Sequence, residues 1–260
     1  MICSKNFKII SNKQIADKIF KMEIEFNKNI NILPGQFINI LISDEKTSDP
    51  LLRRPISVAD FDNNILAIIY QVIGKGTKIL SQKKQNEDLN ILYILGNSFP
   101  EVTNFDTLFL IAGGIGLPPL YFYLKKYHFN FKNIYFFYGA KNENKLFFTE
   151  KIKKYTTNLI ISTEQKSNKY YQGLITDIIH KYIKDTEKIL LLTCGPEGLF
   201  VSLQKIITHY PNINAFASLE NYMACGYGVC NGCAQKINGE YKKVCVDGPV
   251  FNLREINFTQ

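Results

Sequence analysis

Histidine is scarce: three occur in 260 residues, and His128, His180 and His209 all fall toward the ends of predicted helices, where capping or surface positions are expected. No Ser/His/Asp set, paired-carboxylate pattern or His-rich metal motif is present, so side-chain acid–base or nucleophilic catalysis has no sequence support. No run of 18 apolar residues exists, because Lys, Asn or Asp interrupts every hydrophobic stretch, and "MICSKNFKII" lacks the apolar region of a signal peptide. No membrane span is therefore expected, and the expected compartment is the cytoplasm, where thiols stay reduced. The formal net charge is +8, yet lysines are scattered and form no block of five or six, which gives no basis for nucleic-acid binding. Cysteine is sparse too, with six in the chain, but four of them crowd into residues 225–245.

What is present can bury a sizeable core: 46% of residues are hydrophobic and 13% aromatic. The first hundred residues read as β. In "KIFKMEIEF" apolar residues mostly alternate with Lys21, Glu23 and Glu25. "QFINILIS", "PISVADF", "ILAIIYQVI" and "LNILYIL" follow, separated by "LPG", "DEKTSDP", "DNN" and the glycines of "GKGT", which predicts a small antiparallel barrel. From about residue 102 the rhythm changes. Strands "TLFLIAGG", "NIYFFYGA", "NLIISTE", "KILLLTCG" and "INAFASLE" alternate with helical segments "LPPLYFYLKKY", "KLFFTEKIKKY", "GLITDIIHKYI" and "PEGLFVSLQKIITHY", the pattern of a doubly wound parallel sheet. The tail from about Ser218 is short and glycine-rich, and is expected to need something other than apolar burial to organise it.

Several loops could carry chemistry. "AGGIGLPPL" places Gly113, Gly114 and Gly116 between a strand and a helix, where a pyrophosphate could approach the backbone; the spacing departs from G-x-G-x-x-G, and a plain tight turn is the alternative. "TCGPEG" puts Cys194, Gly195 and Pro196 at the end of a later strand, on the side where a nicotinamide dinucleotide would cross the sheet. "RRPIS" presents Arg54 with Ser57 three residues on, a fork and a hydroxyl suited to phosphate. "IYQVIGKGT" offers Tyr70, either a flavin platform or a core tyrosine, and Gly76–Thr77, either a phosphate contact or an ordinary turn.

The cysteine tail is the sharpest signal. Cys225, Cys230, Cys233 and Cys245 have the spacing C-x4-C-x2-C-x11-C, which matches the plant-type arrangement around a [2Fe-2S] cluster. Gly226, Gly228 and Gly232 suit a loop that curls round metal and donates N–H groups to sulfur. A four-cysteine zinc site usually pairs two C-x2-C units and only one is present; zinc and disulfides remain the alternatives. Cys3 is expected to be inert at a strand end.

Together the barrel with R-P-x-S and the nucleotide fold with G-G-I-G and C-G-P resemble the ferredoxin reductase superfamily over the whole chain. More narrowly, "LLRRPISVAD", "IYQVIGKGT", "GGIGLPPLY", "TCGPEGL", "SLENYMACGYGVCNGCAQK" and "VCVDGPVF" resemble the electron-transfer subunits of class 1B dihydroorotate dehydrogenase. The resemblance implies an FAD-binding barrel over 1–101, an NAD-binding α/β domain over 102–217 and a [2Fe-2S] module over 218–260. It implies FAD contacts from Arg54, Pro55, Ile56, Ser57, Ile69, Tyr70, Gln71, Gly76 and Thr77, and cluster ligation by Cys225, Cys230, Cys233 and Cys245. It further implies a catalytic FMN subunit as partner, two of each subunit per assembly, and electrons passing from FMN through the cluster and FAD to NAD+ in pyrimidine biosynthesis. Gln71 stands where the family usually carries Arg, Tyr222 stands before the cluster where Arg is usual, and "STEQKSNKYYQG" keeps only Gly173 of a glycine-rich segment. Glu164, at a strand end, could meet a ribose hydroxyl and favour NAD. Tyr222, Tyr227, Val229 and Asn231 are expected near the partner. A reductase subunit serving a hydrogenase or a ferredoxin-dependent transhydrogenase is the nearest alternative, and a nucleotide sensor with a zinc-organised tail is one of another class.

Overall fold

The computed structural model describes residues 3–26, 30–43, 49–101 and 104–258. Part of "DEKTSDP", residues 44–48, lies outside them. Alternation in the N-terminal half does what its period requires. In β2 (Ile19–Glu25) Met22 and Ile24 are buried, and β3 (Phe37–Ile40) sends Ile38 and Ile40 into the same interior, while Ile19, of opposite phase, packs in a cluster shared with the second half of the chain. With β1 (Cys3–Ala16), β4 (Arg54–Asp62), β5 (Ile65–Gln71) and β6 (Asp88–Leu95) they close an antiparallel barrel in the order β1-β2-β5-β4-β3-β6. Closure removes the sheet edges that would otherwise pair with other chains.

Two barrel elements differ from the sequence expectation. Strand β1 is long, pairing with β6 through Cys3–Lys8 and with β2 from Ile9 onward. Its buried side chains are few, Phe7 and Ile9 among them, so it carries almost no period-two signal. The glycines of "GKGT" open a helix, α1 (Lys75–Gln82), where a turn is expected; the Thr77 hydroxyl accepts the N–H groups of Ile73 and Gly74 at 3.0 and 3.2 Å, and Leu80 anchors the inner face.

Beyond the barrel, β7 (Thr107–Gly113), β8 (Asn133–Ala140), β9 (Asn158–Thr163), β10 (Tyr171–Gln172), β11 (Ile189–Cys194) and β12 (Ile213–Ser218) form a parallel sheet in the order β10-β9-β8-β7-β11-β12. Every residue of β11 is buried, as befits a central parallel strand covered on both faces. Helices α2 (Leu117–Tyr127) and α5 (Glu197–Ile207) match the expected segments, with Pro118 and Pro119 in the first turn of α2. "KLFFTEKIKKY" and "GLITDIIHKYI" yield only α3 (Thr149–Ile152) and α4 (Thr176–Ile179). In the first, Lys145 closes a 3-10 turn and Phe148 takes φ +61°, so the chain reaches the helix only at Thr149.

Helix α2 joins the two halves. Leu120, Tyr123 and Leu124 pack on the sheet, while Phe122 enters the barrel cluster. Lys125 Nζ lies 2.8 Å from Asp60 of β4.

The tail departs most from expectation. After β12, residues 219–233 leave the sheet, the hairpin β13 (Ala234–Ile237) and β14 (Glu240–Lys243) follows, and β15 (Val250–Asn252) returns to pair antiparallel with β12 as the seventh strand. Met223, Cys233, Val244, Cys245 and Leu253 are buried in one cluster with the sheet face and with Leu95 of the barrel. Apolar burial against its neighbours therefore organises much of the tail, contrary to the sequence expectation.

Candidate functional site

A cleft of about 760 Å³ opens between barrel, sheet and tail. Arg54, Pro55, Ile56 and Ser57 of β4 and Ile69, Tyr70 and Gln71 of β5 line one side, with Thr77 from the first turn of α1. Ile115 and Pro118, Leu219 to Met223, and Pro249 complete it. Gly76 does not face the cleft directly: a Cβ there would lie 2.8 Å from Arg54 Nε, so the missing side chain is what lets the guanidinium cross the start of α1. An arginine fork held at a helix N-terminus beside a threonine hydroxyl is a strong arrangement for phosphate. Tyr70 is only 3% exposed, its ring stacks on Phe20 at 5.8 Å and its hydroxyl donates to Asn12 Oδ1 at 2.9 Å. Tyr70 is thus packed as a core tyrosine while it still lines the cleft.

The glycines of the two strand-end loops divide in role. Cβ atoms at Gly113 and Gly116 would lie 2.7 Å from Pro196 Cδ and 2.2 Å from the Cys194 carbonyl oxygen. These glycines let "GGIG" and "CGP" pack on each other. Gly114, at φ +53°, faces open space and is the one positioned for ligand approach. Cys194 is buried, which pushes its thiol up, as does the nearby Glu220 carboxyl; Ser218 hydrogen-bonds it in opposition. Glu220 is exposed at the cleft wall, where the surrounding protein partly desolvates its carboxyl and raises it above the usual range. It was not among the residues expected from sequence, and its only signal was a carboxylate at the exit of a largely apolar strand. Glu164 sits just past β9, and Gly173 takes φ +140° after β10.

The four tail cysteines come together as two pairs. Cys225 Sγ accepts the N–H groups of Tyr227 and Cys230 at 3.5 Å, and Cys230 Sγ accepts from Gly232 at 3.4 Å. Cys233 Sγ accepts from Cys245 N–H at 3.5 Å. Gly226, Gly228 and Asn231 all take positive φ, which curls the loop round its sulfurs. Burial alone would raise the Cys225 thiol; the N–H groups of Cys230 and Tyr227 outweigh it and hold the thiol at about 6. Cys245 is pushed up to about 12 by burial and then by the Cys233 thiol beside it. All of Cys225, Cys230, Cys233 and Cys245 are free thiols. Among the described residues no three His, Cys, Asp or Glu side chains gather round a point that one metal ion could occupy. A structural zinc needs its four ligands on one centre, whereas a two-iron cluster takes a thiolate pair at each iron. The paired sulfurs and their N–H donors fit the cluster.

Comparison with known proteins agrees. Residues 220–257 match the family model described as the iron-sulfur cluster binding domain of dihydroorotate dehydrogenase B, and residues 110–205 match the oxidoreductase NAD-binding domain. The electron transfer subunit of dihydroorotate dehydrogenase B (NAD(+)) from Lysinibacillus sphaericus is 32% identical over 259 residues, covering 96% of this chain and 97% of that protein. The same subunit from Caldanaerobacter subterraneus subsp. tengcongensis is 35% identical over 255 residues, covering 96% and 97%. The chain belongs to the family of dihydroorotate dehydrogenase B electron transfer subunits. As such a subunit it is an oxidoreductase component, and its fold has solved counterparts. The NADH-dependent reduced ferredoxin-NADP oxidoreductase structure aligns with TM-score 0.82 and 26% identity over 96% of this chain and 89% of that one. A ferredoxin NADP+ reductase from Neisseria gonorrhoeae with bound FAD and NADP aligns with TM-score 0.71 and 13% identity over 83% and 99%, a likeness of fold alone.

Proposed function

We propose that this electron transfer subunit takes electrons from a catalytic FMN subunit that oxidises dihydroorotate to orotate, and delivers them to NAD+ for pyrimidine biosynthesis. One observation carries the reading: the segment Leu219–Met223 is a wall of the large cleft and runs two residues later into the first cluster cysteine, so cleft and cluster share one short stretch of backbone. When bound, the [2Fe-2S] cluster moves single electrons and FAD converts them into the hydride that NAD+ accepts.

The chain's own residues prepare that exchange. Arg54 of β4 and Thr77 in the first turn of α1 hold the flavin phosphates, and Gly76 gives Arg54 its room. Pro55, Ile56, Ser57, Ile69, Tyr70 and Gln71 form the barrel wall of the flavin site. Gln71 contributes a neutral amide where the family places a cation. The paired loops Gly113–Gly116 and Cys194–Pro196 receive the nicotinamide nucleotide at the carboxyl ends of β7 and β11, with Glu164 toward its ribose. Cys225, Cys230, Cys233 and Cys245 ligate the cluster. Functionally the chain divides at 1–101, 102–217 and 218–260, and it works in the cytoplasm.

The partner meets the cluster loop. Tyr222 is 93% exposed and Val229 71%, with Tyr227 beside them, and Leu51 and Leu52 extend the apolar surface onto the barrel. Two of each subunit form the assembly. The test is co-purification with the FMN subunit followed by dihydroorotate-dependent reduction of NAD+. Orotate and NADH should appear together, and Val229→Glu should weaken the complex while NADH oxidation by artificial acceptors survives. An intact complex that makes no NADH from dihydroorotate would instead favour a ferredoxin-linked reductase, the reading prompted by the 26% identical neighbour.

A further inference from the structure

Strand β3 contains a residue whose chemistry is out of place. Its alternation sends Ile38 and Ile40 into the barrel and leaves Phe37 and Asn39 facing outward, where a polar side chain ordinarily meets water. Asn39 is instead completely buried, and neither Nδ2 nor Oδ1 has a hydrogen-bond partner among the described residues. A buried carboxamide without partners is costly, and natural structures keep few of them. What covers it is the cluster loop. A Cβ built on Gly226 would lie 2.6 Å from Asn39 Nδ2, and Gly226 directly follows Cys225. The side chain is aimed at the backbone between the first two thiols, and glycine at φ +80° is what permits the approach.

Asn39 also stands between the two redox sites. In register it faces Pro55, on the wall of the large cleft, and Leu92, which with Ala224, Cys225 and Tyr227 lines a neighbouring depression. Arg53 fixes the strand there, its Nη1 donating to the Asn39 carbonyl at 3.2 Å.

We propose that Asn39 donates a hydrogen bond from its side-chain amide to the sulfur shell of the cluster on the Cys225 side, so that a residue of the barrel tunes the cluster's potential. The inference rests on the cluster reading above. Reduction adds negative charge to the cluster sulfurs, so a donor held against them favours the reduced form and raises the potential. Asn39 acts as a positioning and tuning residue, and the cysteines remain the ligands.

The experiment is an EPR-monitored redox titration of the full-length holoprotein and of Asn39→Leu, which keeps the branched shape and removes the donor. The variant should retain iron and FAD and show an altered EPR signal of the reduced cluster. Its cluster should be harder to reduce, with electron sharing moved about tenfold toward the flavin, ~59 mV for a one-electron couple. An unchanged potential and signal in a folded, loaded variant would overturn the proposal and leave Asn39 as packing, or as the host of a buried water. Should Asn39→Leu fail to assemble, pulsed EPR decides on protein that keeps Asn39 and is labelled with 15N at asparagine side chains. The label is read in an Asn231→Gly background, which removes another asparagine side chain of the loop. A 15N coupling to the reduced cluster supports the donor and its absence overturns it. A wild-type protein with no [2Fe-2S] signal at all would sink the underlying reading as well, so the two failures are distinguishable.

Discussion

Arg54 shows how a weak sequence signal gains support from its surroundings. R-P-x-S by itself is short, but the guanidinium lies over Gly76 at the mouth of a helix. Removing a charge-assisted contact of this kind costs about 1.5–3 kcal/mol, so Arg54→Ala should weaken FAD retention by roughly 10- to 150-fold. Flavin release on gel filtration and fluorescence titration of the apoprotein measure it, with the iron content unchanged. Glu220 allows a prediction with a definite sign. Its pKa is raised in the folded protein, so its favourable contribution is complete below the ordinary carboxylate pKa of about 4.3 and is lost as pH rises through the folded value. Glu220→Gln should therefore stabilise the flavin-free protein near neutrality and make no difference in acid below that range. Denaturant unfolding at the two pH values checks this, and an equal effect at both would refute it. Neither Glu220 nor Asn39 was legible from sequence. Both are polar residues in strand-like segments, and only the docking of the tail on the barrel encloses Asn39 and sets Glu220 on the wall of a cleft.

At the scale of elements, legibility followed period and length. The almost continuously apolar β7 and β11, each with a single threonine, and the Pro-started α2 were plain, because continuous burial leaves little room for ambiguous residues. Strand β1 was hidden because most of its side chains face solvent, and α1 because two glycines at its start read as a turn. Strand β15 is three residues long, too short for any period to show; the register with β12 alone defines it. Between domains, magnitude decides which contact holds α2 in place. Lys125 and Asp60 are each more than a quarter exposed, and such pairs contribute about 0.2–1 kcal/mol. Phe122 is buried in the barrel cluster, and truncating such a ring costs about 3–5 kcal/mol. Phe122→Ala should thus lower the unfolding midpoint far more than Lys125→Met. The reverse order would mean that charge, and not packing, joins barrel to sheet.

For the whole molecule, the layout is a line. Nucleotide loops end the parallel strands, the large cleft lies where sheet, barrel and tail meet, and the paired thiols stand beyond it next to an exposed apolar surface. That order was readable from sequence as three successive segments, because each has its own periodicity or spacing. What sequence did not reveal is how closely the third is built into the other two. Asn97 donates to the Asp247 and Val250 carbonyls and accepts from Val250 N–H, and Leu219 N–H donates to Pro249, so barrel, sheet and tail share one network at the base of the cluster loop. A rigid joint of this kind keeps two redox groups at fixed separation. The central claim is that one chain holds a flavin and a two-iron cluster in electronic contact. Anaerobic titration of the purified subunit with NADH, followed by flavin absorbance and cluster EPR together, tests it most directly. The account predicts uptake of about three electrons per chain, two on the flavin and one on the cluster, with the EPR signal growing as the flavin bleaches. Bleaching of a flavin with no cluster signal, or a zinc-loaded protein that accepts no electron beyond the flavin's two, would contradict it.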